Sequence, residues 1–230
     1  MQKVGHISFL KPITQHLPSF VCAVAANHIA TPTLFRSYPV PRTAVNCQIW
    51  QAARATTAAP TFFKRIQIGR ENAEVDYIDG ALGCNNPVQQ VLEEAQLTHQ
   101  SGRVDCILSV GTGQPQTVGL PEPDHFQRLL PLDAVKMLKQ LATNSERAAE
   151  EFEKRFRHAP GIYFRLNVEQ GMQGITLEEW KKLGDVTAHT NQYLQKERVS
   201  QEVDHLVNVL AKTSASSGVA IAELSMQPTS

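Results

Sequence analysis

Asp79-Gly80-Ala81 closes a short run of strand-forming residues, Val75-Asp76-Tyr77-Ile78. A carboxylate at a strand end stands where open α/β sheets place ligands and catalytic groups. There it can act as a general base if a nucleophile lies within hydrogen-bond reach. Gly80 would let the backbone turn sharply and leave room for substrate. Asp-Gly is also the commonest turn dipeptide, so the tripeptide taken alone reads first as a turn. Cys84 is a substitute nucleophile only if a base and oxyanion donors converge on it; otherwise it is a packing thiol. His28, His99, His125 and His189 have no evident nucleophile beside them and read as surface or packing residues. Ser109 and Thr112 read as turn residues, and Gly111-Thr112-Gly113 without a following Lys is too short for a phosphate-binding loop.

The elements that must hold these residues are strands alternating with helices. Phe20 to Ala26 is apolar throughout and reads as a strand buried on both faces. Leu34 to Tyr38 is a second strand, ended by Pro39. A helix fits Cys47 to Thr57, with Asn46 as N-cap and Pro60 as its far limit. Ile66-Gln67-Ile68 and Val75 to Ile78 are two further strands, separated by polar residues from Gly69 to Asn72. Asn86 caps the next helix and Pro87 fits its first position, with Val88, Val91, Leu92 and Ala95 spaced for one face. Cys106 to Val110 follows as a strand. Strand, helix, strand in that order implies a right-handed βαβ crossover and a parallel sheet. A long helix from Asp133 to about Arg157, a strand from Ile162 to Val168 and a capping box at Thr176 to Glu179 come next, with helical pattern towards Leu210.

With 230 residues there is room for one large α/β domain or two small ones. Lys and Arg number 22, as do Asp and Glu. That balance argues against a nucleic-acid binder and against a polybasic membrane anchor. The longest apolar run, Phe20 to Ala26, is too short to cross a bilayer, and no apolar run follows the first residues as in a secretory signal. The expectation is a soluble, cytoplasmic chain. Cys22, Cys47, Cys84 and Cys106 make no C-x-x-C pair and read as free thiols in a reducing compartment. No His spacing suggests zinc, so neither a metal nor a cofactor is expected.

Several segments fall in a telling order: Ala53 to Pro60 (A-R-A-T-T-A-A-P), Asp79-Gly80-Ala81, Asn85-Asn86-Pro87 and Ser109 to Gly113 (S-V-G-T-G). This set resembles the C-terminal half of patatin-like phospholipases, particularly the fungal type, whose first segment has Ser where this chain has Thr57. Tyr163 to Val168 and Thr187 to Leu194 look like the family's closing strand and helix. The resemblance runs from about Ser19 to about Leu194.

It implies a three-layer α/β/α fold with a mostly parallel sheet, and a Ser-Asp dyad that hydrolyses lipid acyl esters. The serine of a G-x-S-x-G elbow attacks the ester, the Asp of D-G-[AG] takes its proton, and a glycine-rich loop holds the oxyanion. Asp79 inherits the base's role, which requires partial desolvation or tight coupling to attack, since an ordinary Asp near ~3.9 is a weak base. Arg54 suits either a lipid phosphate or a structural ion pair. No two glycines of this sequence stand four apart or adjacent, so it contains neither the elbow nor a G-G oxyanion loop. About eighteen residues precede the first strand, too few for the usual unit of ~30. The expectation is therefore a partial domain over residues 1–212 that begins after its nucleophile, followed by a disordered Ser/Thr-rich tail over 213–230. Such a domain is expected to be inactive alone and to be either poorly stable or self-associating through an exposed sheet edge. The partners this implies are lipid or phospholipid esters and a membrane surface, without nucleic acid. The alternative is a non-catalytic binding or effector module of a larger receptor.

Overall fold

A computed structural model describes residues 17–40, 45–60, 62–114, 145–172, 175, 179–211 and 218–225. His125, the first half of the helix expected from Asp133 and most of the Thr176 capping box lie outside them. The described residues up to Asn85 form one compact unit, and those from Asn86 form a second.

The first unit is built on four strands: β1 (Phe20–Ala25), β2 (His28–Arg36), β3 (Ile66–Arg70) and β4 (Ala73–Asp79). Their order is β2-β1-β4-β3 and every pairing is antiparallel, which corrects the expectation of a mostly parallel sheet. The connections explain why. Ala26-Asn27 and Glu71-Asn72 are two-residue turns, and a turn that short can join only antiparallel neighbours. Asn72 adopts φ 65°, a left-handed conformation its side chain tolerates well.

Burial of β1 on both faces comes from helices on each side of the sheet. On one face α1 (Ile49–Thr56) sets Ala52 and Ala55 against Ala23, Phe35 and Tyr77. Phe35 and Tyr77 meet edge to face with centroids 5.1 Å apart. On the other face the short α2 (Ala81–Cys84) sets Cys84 against Cys22 and Leu34. This unit therefore has helix, sheet and helix layers, an α/β arrangement. Two expected boundaries move. β2 begins at His28, with Pro32 tolerated because β2 is an edge of the sheet. Gln48, not Asn46, stands at the start of α1, its amide donating to Gln51 Oε1 at 2.8 Å.

The second unit contains α3 (Val88–Thr98), β5 (Arg103–Val104), β6 (Ile107–Val110), α4 (residues 145–155) and β7 (Tyr163–Leu166). A 3-10 turn (Trp180–Lys182) then leads into α5 (Leu183–Leu194), α6 (Glu197–Ala211), β8 (Val219–Ala220) and α7 (Ile221–Ser225). β6 and β7 pair in parallel, with α4 in the connection that such a pair requires. The crossover expected from Val75–Ile78 through α3 to Ile107 is not formed, because β4 pairs with β1 and β3 while β6 pairs with β7. Its core joins Val88, Leu92, Ile107, Phe152, Phe156, Ile162 and Leu224. Residues 218–225 depart from the expected disordered tail: β8 pairs with β5, and α7 buries Ile221 and Leu224. No described helix is long and apolar enough to cross a membrane.

Candidate active site

Asp79 is the last residue of β4, paired in register with Ala23 of the central strand β1. Its amide donates to the Ala58 carbonyl at 3.1 Å, and its Oδ1 accepts the Ala81 amide at 2.8 Å. The second bond is an Asx-type contact that starts α2, so the turn reading and the strand-end reading of Asp-Gly-Ala are both realised. Burial raises the Asp79 carboxyl above the ordinary range, and the Ala81 amide only partly offsets it. A half-buried carboxylate shifted in that direction is a stronger base than a solvated one.

Gly80 has a role other than sharp turning. Its backbone is right-handed helical (φ −62°, ψ −24°), open to any residue, but a Cβ there would stand 2.2 Å from the Cys22 carbonyl oxygen. Only glycine lets the chain after Asp79 lie this close on β1. Cys84, one helical turn on, consequently faces Cys22, with the sulfurs 3.1 Å apart. Cys84 packs as a buried thiol in this arrangement, and Cys22, Cys47 and Cys84 are all buried and in no disulfide.

Beyond Ala58, the other members of the A-R-A-T-T-A-A-P segment serve α1. Thr57 Oγ1 donates to the Ala53 carbonyl at 2.8 Å. Arg54 donates to the Lys64 carbonyl and lies over the Phe63 ring, 5.5 Å from its centroid, instead of making an ion pair among the described residues. His28 and His99 are exposed beside Thr31 and Thr98, and His189 packs against Gly171. No described group of three or more His, Cys, Asp or Glu is arranged to hold a metal.

The second unit holds a polar network that the sequence does not announce. Ser109 is buried within β6 and not in a turn; its Oγ donates to Asn86 Oδ1 at 3.3 Å and accepts from Arg165 at 2.9 Å. Asn86 is thus committed to this network and does not cap α3. Arg165 and Asn167 both reach Glu146 Oε1, at 3.7 and 3.1 Å, and Asn167 Oδ1 accepts the Gly113 amide at 2.8 Å. The glycines of Gly111-Thr112-Gly113 are explained here. A Cβ on Gly111 would strike Asn167, and Gly113 has φ 113°.

The chain is 31% identical over 142 residues to phospholipase A I of Arabidopsis thaliana, covering 59% of this chain and 10% of that protein. It is 29% identical over 189 residues to intracellular phospholipase A2 of Caenorhabditis elegans, covering 74% and 17%. It is 27% identical over 179 residues to patatin-like phospholipase 1 of Plasmodium falciparum, covering 71% and 26%. The chain is similar to patatin-like phospholipases. It spans between a tenth and about a quarter of the length of these curated relatives. No protein-family model matches it.

Proposed function

We propose that this chain is the base-bearing part of a patatin-like lipid acyl hydrolase of the fungal type, acting in the cytoplasm on lipid or phospholipid esters. The observation that carries the reading is Asp79: a half-buried carboxylate at a strand end, raised above its ordinary pKa, with one oxygen fixed by Ala81. In the dyad chemistry, Asp79 takes the proton of a serine hydroxyl as that oxygen attacks the acyl carbonyl. It then returns the proton to the departing alcohol, and water completes the cycle by releasing the fatty acid. The serine is supplied by an elbow that these 230 residues do not carry. Contact with a membrane surface, and self-association through a sheet edge, belong to the same proposal.

Ester hydrolysis by this chain and by a longer one carrying an upstream G-x-S-x-G segment tests it. The short chain stays at background with or without Asp79→Asn, while the longer one is active and loses roughly 10²–10⁴-fold on that substitution. Full activity of the longer Asp79→Asn protein overturns the assignment. The absence of the elbow motif from this sequence favours a second reading, a non-catalytic lipid-binding or effector module of a larger receptor. Liposome co-sedimentation without hydrolysis by the longer chain supports it; esterase turnover removes it.

A further inference from the structure

The Cys22 and Cys84 sulfurs lie 3.1 Å apart, although 62 residues separate them in sequence. A disulfide holds its sulfurs about 2.05 Å apart, so closure asks for about an ångström of side-chain adjustment. The backbone has already made the approach, because Gly80 lies against the Cys22 carbonyl and the Cys84 amide bonds back to the Gly80 carbonyl at 2.8 Å. We propose that Cys22 and Cys84 form an oxidisable dithiol site that takes a small peroxide and closes to a disulfide, clamping α2 to β1 behind the Asp79 turn.

Cys22 is the attacking sulfur. The hydrogen bond from Cys84 favours its thiolate, burial opposes that, and the Arg36 guanidinium adds a smaller favourable effect; the balance lowers its pKa. The Cys22 thiolate attacks the peroxide O–O bond and becomes a sulfenic acid as hydroxide leaves. The Cys84 thiolate then displaces the second oxygen, so two thiols and one peroxide become one disulfide and two waters. Both cysteines keep less than a tenth of their surface open, which selects a small oxidant. Cys47 and Cys106 have no such sulfur partner among the described residues and serve as internal controls. This inference does not depend on the hydrolase reading.

The test treats the purified chain with hydrogen peroxide and maps its peptides by mass spectrometry without reduction. The expected product joins the Cys22 peptide to the Cys84 peptide with loss of two hydrogens, reverts with dithiothreitol, and slows amide exchange over Gly80 to Cys84. Oxygen adducts without a link, or a link through Cys47 or Cys106, overturn the site. A Cys22–Cys84 link that leaves exchange over Gly80 to Cys84 unchanged overturns the clamp. The wild-type map decides the matter even if Cys84→Ser fails to fold; if that variant folds, peroxide leaves its Cys22 as a sulfenic acid that dimedone traps.

Discussion

The Asp79 amide donates to the Ala58 carbonyl at 3.1 Å, and through that bond two segments twenty-one residues apart become one piece of structure. The A-R-A-T-T-A-A-P segment thereby leads from the end of α1 to the end of β4 and fixes the main chain at the candidate base. The Asp79 side chain is fixed separately, by Ala81.

Asp79→Asn is expected to stabilise the fold at neutral pH. Burial raises the folded-state pKa of Asp79 above its unfolded value. Between those two values the folded chain binds more protons, so stability from this group rises as pH falls through the folded pKa, and its charged form costs stability above it. Asn keeps an oxygen for the Ala81 amide and carries no charge. Thermal unfolding followed from pH 7 downward should show a higher midpoint for the variant, with the gap narrowing as the wild-type carboxyl protonates. A lower midpoint for the variant at pH 7 would falsify this.

Gly80→Ala should cost about 1–3 kcal/mol or more, because the added methyl meets the Cys22 carbonyl backbone and not a flexible side-chain end. The conformation itself suits alanine, so the cost is steric. Gly83→Ala is the matched comparison: its Cβ would stand 3.2 Å from the Ile29 carbonyl and should be tolerated far better. Urea midpoints of the two variants check the ranking, and equal losses would remove the close-approach explanation.

Asn167→Ala removes the acceptor of the Gly113 amide and the donor to Glu146 from a buried position. A loss of about 1–3 kcal/mol is expected from the groups left unpaired. Faster hydrogen exchange at the Gly113 amide is the specific readout. Unchanged exchange there would mean the loop is held by its other bonds alone, Gly111 to Leu166 and Gln114 to Val168.

Leu224→Ala should destabilise the second unit by about 2–5 kcal/mol, as for a leucine in a closed core. Calorimetry that finds it within half a kcal/mol of wild type would contradict the packing of α7.

What could be read from the sequence follows from how local each cause is. β1 and α3 announce themselves through apolar runs and helical spacing. The placement of Asp79 at a strand end is legible because a carboxylate-glycine pair follows a strand-forming run. The first half of β2 is not, since His28 to Thr31 are exposed and Pro32 interrupts the pattern. Four residues with a central glycine gave no sign of α2. Sheet direction is not legible, because a strand covered on both faces looks the same whether its neighbours run parallel or antiparallel; here α1 and α2 provide the cover. The network of Ser109, Arg165, Glu146 and Asn167 has no local signature, its contacts joining residues 19 to 56 apart.

The ladder of the first unit also bears on the order of assembly. β1–β2 and β3–β4 are hairpins closed by two-residue turns, whereas Ala23 and Asp79 meet across more than fifty residues. Closing the longer loop costs more chain entropy and sets the slower rate, so the two hairpins should form before they dock. Pulse-labelled exchange during refolding would detect that sequence as early protection of Val21 and Val75 ahead of Ala26, whose amide donates to the Asp76 carbonyl across the β1–β4 seam. The position of the candidate base would then be the last thing this sheet acquires, and any kinetic trap between the hairpins would leave a chain with native hairpins and no organised base.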